Sequence, residues 1–188
     1  MTYLLLIANI AGFVLELHYG ERFIDAYALW PLGPRFHAVQ LLSSGFLHAG
    51  LAHIAMNMFG LWMFGREVER AIGSARFTLL YFASLLTASL AQLAVTTALR
   101  EQLPTLGASG AVFGLLGAFG MLYPRRTVML MFPPIPMPAW LFVIGYAAIE
   151  LALGVSGGQS GVAHFAHLGG LAGGLLTLRQ WKRGRRRR

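Results

Sequence analysis

The chain has 188 residues, of which 56% are hydrophobic and only 12% are charged, and its mean hydropathy is +0.61. This composition is too apolar for a water-soluble domain of this size and indicates a membrane protein. The sequence contains no cysteine, which excludes disulfide frameworks and thiolate metal sites.

The net charge of +8 would suit a nucleic-acid partner, but seven of the fifteen basic residues lie within 179–188. A basic segment that follows a membrane span predicts contact with anionic lipid headgroups on the cytoplasmic side. We therefore expect membrane lipids, and not nucleic acid, as partners of this segment.

Six apolar stretches are each near the roughly 20 residues that cross a bilayer, and we predict a transmembrane helix in each. They cover 2–19, 46–65, 75–98, 107–123, 139–155 and 163–179. No basic region precedes the first stretch, so we expect a retained span and not a cleaved signal peptide. The predicted fold class is an all-α membrane protein with a six-helix bundle in residues 1–180 and a basic cytoplasmic tail in 181–188.

The distribution of basic residues predicts the orientation, because cytoplasmic loops are enriched in lysine and arginine. With the N-terminus inside, twelve basic residues fall on the cytoplasmic side and three, Arg22, Arg35 and Arg100, fall outside. We therefore expect a multi-pass protein with both termini in the cytoplasm. Its expected location is a bacterial inner membrane.

Three connections between the predicted spans are unusual. The long first loop, 20–45, mixes aromatic and charged residues and is predicted to lie in the outer headgroup region. Four prolines within 132–138 exclude a helix and predict a cytoplasmic turn. The apolar segment 103–108 contains Pro104 and Gly107 and is predicted to enter the membrane as extended chain before the fourth span begins.

Ser109 and His167 are the candidate catalytic pair, because polar groups inside spans are costly and need a reason. Ser109 lies sixteen residues before Arg125 and His167 lies fifteen before Lys182, or roughly 24 and 22 Å along a helix. The two side chains are therefore predicted to lie at matching depth, a few ångströms below the outer boundary. A histidine within hydrogen-bond reach activates a serine nucleophile.

Small residues predict that the fourth and sixth spans approach closely. The fourth span is rich in glycine and alanine from Gly107 onward, and His167, Gly170 and Gly174 share one face of the sixth. His53 and Asn57, at i and i+4 on the second span, are candidate donors to an oxyanion, as is the backbone N–H of Ser109.

Three sequence elements resemble the signature of the rhomboid proteases, in order and in helix position, and the resemblance covers essentially the whole chain. They are Gly107-Ala-Ser109-Gly110, Ala166-His167-Leu-Gly-Gly170, and His48 followed by His53-Ile-Ala-Met-Asn57. The resemblance implies an intramembrane serine endopeptidase that cleaves transmembrane protein substrates near the outer face of the bilayer. It implies Ser109 as nucleophile, His167 as general base and no cofactor, with His53 and Asn57 as oxyanion donors.

The resemblance also implies supporting roles and two departures. His48 is implied to pack and to hydrogen-bond near the site, and Glu69 to be a structural acid at the cytoplasmic end of the second span. Better-known bacterial members carry a Trp-Arg pair where this chain has His37-Ala-Val-Gln40. They often carry a stacking tyrosine where it has Phe113, which is still expected to stack on His167 but without the hydroxyl contact.

Other polar residues are interpreted more simply. Glu150 lies near the end of its span, and we expect it to face water on the outer side in preference to orienting His167. His164 is interpreted as a loop or rim residue. We therefore predict a Ser–His dyad without a third member, and no metal site.

Two alternatives belong to other functional classes. A rhomboid-like pseudoprotease would bind transmembrane segments without cutting them. Such a protein is expected to lack Ser109 or His167, and this chain has both. A small transporter would line a path with polar residues, but these residues cluster at one depth and the two halves show no repeat.

Overall fold

A computed structural model describes residues 1–129, 134–157 and 162–186. The described chain is mostly helical, with one short antiparallel hairpin of strands β1 (Thr127–Met129) and β2 (Pro136–Pro138). The helices are α1 (Thr2–Tyr19), α2 (Glu21–Tyr27), α3 (Gln40–Ser43), α4 (Leu51–Gly60), α5 (Arg66–Ile72), α6 (Ser74–Leu99), α7 (Ser109–Leu122), α8 (Ala139–Ser156) and α9 (His164–Arg186).

Within these described ranges, three helices are long and apolar enough to cross a membrane, namely α1, α6 and α8. Helix α7 is apolar but shorter, at 14 residues. The predicted total of six spans therefore stays a prediction, whereas the predicted bounds of the first, third and fifth helices agree with the structure to within one residue.

The second predicted span begins later than expected. Residues 44–46 form a 3₁₀ turn and Gly50 has a φ of 150°, so the helix begins at Leu51 and not at residue 46. It then continues through a wider π turn at 61–65 into α5 and ends at Ile72. The predicted start was wrong because a glycine at positive φ interrupts the apolar run.

Helices α6, α7 and α9 form the centre of the bundle. A Cβ atom on Gly170 would collide with the carbonyl of Gly110, and one on Gly174 with the carbonyl of Gly114. The predicted close approach of the two glycine-rich helices is therefore confirmed, and it depends on hydrogen in place of a side chain.

Helices α7 and α9 run in the same direction. Their N-terminal ends are joined by the Ser109–His167 contact, and the Lys182 ammonium donates to the Met121 carbonyl near their other ends. Because Trp181 also packs against the core, α9 continues through the predicted end of the sixth span at residue 179.

The first loop contains α2 and α3 and is anchored by Gln40, whose side chain is fully buried. The Gln40 carbonyl accepts hydrogen bonds from the backbone N–H groups of Trp30 and His37, and its amide donates to the carbonyls of Ala26 and Arg35. The Arg35 guanidinium lies 4.4 Å from the centre of the Trp30 ring. A buried glutamine thus organises the loop that carries His37-Ala-Val-Gln40.

Glu69 joins three helices at the end of the bundle away from Ser109. Its carboxylate accepts hydrogen bonds from the Thr2 backbone at 2.8 Å, the Thr2 hydroxyl at 2.7 Å and the Ser74 hydroxyl at 2.6 Å. Burial opposes its ionisation, but these bonds and one from the Met1 amino group outweigh burial and lower the pKa of Glu69 to about 2. The contacts fit the structural role that the resemblance implies.

The proline-rich connection before α8 is partly described. The prediction that it is not helical is confirmed for 134–138, where Pro136 and Pro138 lie in strand β2. The remaining residues of the predicted turn, 132–133, lie outside the described ranges. Proline is tolerated here because a two-stranded hairpin has only edge strands.

Candidate active site

Ser109 is the first residue of α7, and His167 is the fourth residue of α9. The serine Oγ lies 2.8 Å from Nε2 of His167, which is a hydrogen-bond distance for a hydroxyl donor and a ring-nitrogen acceptor. The structure therefore brings together the two residues predicted from matching depth. This geometry allows the imidazole to take the serine proton.

Extended chain leads into Ser109, as the sequence predicts. Thr105 and Leu29 exchange two backbone hydrogen bonds of 2.8 and 2.9 Å, and the N–H of Gly107 donates to the Ser44 carbonyl at 2.9 Å. These bonds tie segment 103–108 to the first loop and fix the point at which α7 begins. As the first residue of the helix, Ser109 has a backbone N–H without an intrahelical partner.

Phe113 lies one turn after Ser109 and covers one face of the His167 imidazole. The two rings are parallel, with an interplanar angle of 3° and centroids 4.3 Å apart. Tyr146 of α8 contacts the edge of Phe113 with centroids 6.1 Å apart. The predicted stacking is therefore present with a phenyl ring.

The His53 ring lies against Gly107. A Cβ atom at Gly107 would lie 2.8 Å from Cε1 and 2.9 Å from Nε2 of the His53 ring, so only glycine fits this position. The His53 Nδ1 accepts a hydrogen bond of 3.2 Å from the backbone N–H of Ala49. A neutral ring that accepts at Nδ1 carries its proton at Nε2, and this N–H is then available near Ser109.

Asn57 is buried one turn below His53, and its amide nitrogen donates to the His53 carbonyl at 3.0 Å. The second amide hydrogen remains for another acceptor. Both side chains line a cavity of about 920 Å³ that also exposes Ser109 and His167. The four residues predicted to form the active site therefore line one cavity.

His48 is fully buried and packs its ring against His53 at a centroid distance of 5.2 Å. Its backbone N–H donates to Glu16 at 2.9 Å. Within the described residues, neither ring nitrogen of His48 has a hydrogen-bond partner. The packing expected of His48 is present, whereas its polar contact runs through the backbone.

Glu150 does not face water, and this prediction was wrong. The residue is 7% exposed, and its Oε2 lies 2.9 Å from Nδ1 of His167. Among the described residues, Nδ1 of His167 has no partner with hydrogen-bond geometry, so this is a close polar contact without hydrogen-bond alignment. The interpretation failed because it used distance from the helix end and not the rotation of α8 about its axis.

His164 is also buried, at 5% exposure, and is not a rim residue. Its Nδ1 lies 2.6 Å from the same Glu150 oxygen. One signal in the sequence pointed to this cluster: His164 and His167 are three residues apart on one helical face, and a carboxylate within a membrane span needs a partner.

The donor atoms of Glu150, His164 and His167 lie within 4.8 Å of one another. A bound metal would separate them, because ligands about 2.0 to 2.2 Å from zinc in a tetrahedral site are more than 3 Å apart. The separations of 2.6 and 2.9 Å from the shared carboxylate oxygen therefore favour direct polar contact over a metal site.

Residues 35–181 match the family model described as the rhomboid domain. The chain belongs to the rhomboid family. With three helices in its described ranges that suit a bilayer, it is an integral membrane protein. A rhomboid domain of this extent contains each of the residues that line the site from His48 to His167.

Several relatives are named as rhomboid proteins. The chain is 34% identical to the mitochondrial Rhomboid protein 1 of Saccharomyces cerevisiae over 94% of its own length and 51% of the relative. It is 38% identical to the rhomboid protease GluP of Bacillus subtilis over 73% of its own length and 25% of the relative. It is 27% identical to the rhomboid protease GlpG of Klebsiella pneumoniae over 93% of its own length and 60% of the relative. The chain therefore spans between a quarter and three fifths of these relatives.

Proposed function

We propose that this rhomboid protein is an intramembrane serine endopeptidase that cleaves transmembrane segments of other membrane proteins. The observation that carries the proposal is the 2.8 Å contact between Ser109 Oγ and His167 Nε2 inside a shared cavity. The names of the Bacillus and Klebsiella relatives, which are proteases, support it.

The chemistry follows from the contacts. His167 takes the proton of Ser109 as Oγ attacks the scissile carbonyl carbon, and a tetrahedral intermediate with a negative oxygen forms. The His167 imidazolium then gives its proton to the leaving amine, and an acyl-enzyme remains on Ser109. Water, deprotonated by His167, attacks the ester carbonyl. The bond from the acyl carbon to Ser109 Oγ then breaks, His167 returns the proton to Oγ, and the new carboxyl end is released.

The negative oxygen requires donors aimed at it, and three candidates belong to residues that line the same cavity. They are the Nε2–H of His53, the free amide hydrogen of Asn57 and the backbone N–H of Ser109. Donors of this kind stabilise the transition state more than the ground state, because the charge develops only during attack.

The depth of the site limits the substrate. Ser109 is inferred to lie a few ångströms below the outer surface, with both chain termini in the cytoplasm. The carbonyls of an intact substrate helix are occupied by hydrogen bonds four residues apart. A substrate must therefore unwind near its outer end, which weak helix formers such as glycine favour by about 1 kcal/mol per residue relative to alanine.

Labelling with a serine-reactive fluorophosphonate tests the proposal without knowledge of the natural substrate. The detergent-solubilised protein should incorporate one label, and peptide mapping should locate it on Ser109. His167→Ala should remove the labelling while the protein stays folded. A protein that only binds transmembrane segments, or a transporter, would remain unlabelled, and that result would contradict the proposal.

A further inference from the structure

A buried carboxylate joins the imidazole of His167 to a second histidine. Glu150 of α8 presents one oxygen, Oε2, to Nδ1 of His167 at 2.9 Å and to Nδ1 of His164 at 2.6 Å. The three residues are each 9% exposed or less. Glu150 lies on the side of the His167 ring opposite Ser109, since Ser109 contacts Nε2.

We infer that Glu150 is a positioning residue that holds His167 in the tautomer needed to activate Ser109, and that His164 fixes the Glu150 carboxylate. This inference rests on the proposed function, because tautomer matters only if His167 acts as a base. It replaces the predicted dyad with a Ser–His–Glu arrangement in which His164 is a fourth, supporting member.

The tautomer argument starts at Nε2. A neutral imidazole has one protonated and one unprotonated nitrogen. To accept the Ser109 proton, Nε2 must be unprotonated, so Nδ1 must carry the hydrogen. An ionised carboxylate only accepts hydrogen bonds, and its negative charge 2.9 Å from Nδ1 repels a ring lone pair and attracts a ring hydrogen there.

The same carboxylate acts again when His167 has taken the serine proton. The ring then carries a positive charge, and Glu150 is a negative charge in contact with it inside a poorly solvated bundle, where ion pairs are strong. Nδ1 and Oε2 lie at hydrogen-bond distance without hydrogen-bond alignment, and catalytic hydrogen bonds often align only once substrate is bound.

His164 keeps the carboxylate in place. It lies three residues before His167 on the same face of α9, so one helix supplies both ring contacts to Glu150. The carboxylate thereby joins α8 to α9 beside the catalytic ring. Without His164, Glu150 would be free to rotate away from His167.

Four variants separate the effects of the Glu150 charge, the Glu150 volume and the His164 contact. Glu150→Gln keeps the volume and removes the charge, Glu150→Asp keeps the charge, Glu150→Leu removes every polar contact, and His164→Asn removes the second ring. Glu21→Gln in α2, where the side chain is exposed, is the matched control. Thermal unfolding in detergent selects the variants that remain folded, and Glu150→Gln is the decisive one because its volume is unchanged.

Three measurements follow: kcat and KM for a model transmembrane substrate in liposomes, the rate of fluorophosphonate labelling of Ser109, and the ¹⁵N chemical shifts of His167 in ¹⁵N-histidine-labelled protein. We expect Glu150→Gln to lower kcat by about 10²- to 10⁴-fold with little change in KM. It should also slow labelling and shift protonation of His167 from Nδ1 towards Nε2. Glu150→Asp should recover part of both losses, and His164→Asn should show a smaller loss in the same direction.

The inference is overturned if Glu150→Gln retains kcat within about twofold of the wild type, if only KM changes, or if kcat falls while the ¹⁵N shifts stay unchanged. Failure of the proposed function gives a different pattern. In that case the wild type would neither cleave the substrate nor be labelled, whereas the ¹⁵N shifts would still report the His167 tautomer.

Discussion

The ring of Phe113 lies flat against the imidazole of His167, with centroids 4.3 Å apart and planes 3° apart. A ring held on one face cannot tilt without losing this contact, so Phe113 limits the movement of Nε2 relative to Ser109. Tyr146 packs against the edge of Phe113 and supports it from α8.

We predict that Phe113→Leu lowers kcat by about 2- to 10-fold, because aromatic pairs contribute about 0.5 to 1.5 kcal/mol beyond the area they bury. Phe113→Tyr should retain activity, since the stacking face is the same. The comparison of kcat for the two variants tests the prediction. Equal kcat for the leucine variant and the wild type would exclude a role for stacking.

Gly107 is expected to be irreplaceable for a steric reason. Gly107→Ala places a methyl group against His53 at a φ of 127°, so the ring must move and one oxyanion donor is displaced. We expect kcat to fall by about 10²-fold. Gly145→Ala is the matched control, because a Cβ there has no neighbour within 4 Å, and it should leave kcat unchanged. Comparable activity in both variants would show that His53 does not need its present position.

Asn57→Ala should lower kcat by about 10²- to 10³-fold with a smaller effect on KM, because its amide stabilises charge that develops only in the transition state. The loss will be at the lower end if His53 and the Ser109 N–H compensate. Steady-state kinetics in liposomes provide both constants. A change in KM alone would indicate that Asn57 binds substrate instead.

The low pKa of Glu69 predicts that the stability of the folded protein depends on pH. Its pKa is about 2 in the folded protein and about 4.5 for an unperturbed carboxyl. The unfolded state therefore binds the proton more readily, and the stabilisation is present above pH 4.5 and is lost as the pH falls from there to about 2. Thermal unfolding at pH 7 and at pH 3 should show a smaller decrease for Glu69→Gln than for the wild type. An identical decrease in both proteins would contradict the assigned hydrogen bonds.

The sequence was sufficient to predict Ser109, His167, His53 and Asn57 as one site, because helix rise and residue spacing fix depth and face along each single helix. It was insufficient for Glu150, whose contact with His167 depends on how α8 is rotated against α9. Spacing within either helix does not contain that angle.

Helix ends were predicted well only where the apolar pattern and the helical backbone conformation end at the same residues. At 46–50 the residues are apolar enough for a span, but the 3₁₀ turn and Gly50 delay the helix to Leu51. Beyond residue 179 the pattern turns basic while the helix continues, because Trp181 and Lys182 still contact the bundle. Tertiary contacts outweighed local composition at both places.

The most direct measurement is cleavage of a model single-span substrate in liposomes by the wild type and by Ser109→Ala, with the products mapped by mass spectrometry. We predict one cut in the outer third of the substrate span for the wild type and no cut for Ser109→Ala, with equal membrane insertion of both proteins. Cleavage by Ser109→Ala at a rate near that of the wild type would contradict the assignment of Ser109 as the nucleophile.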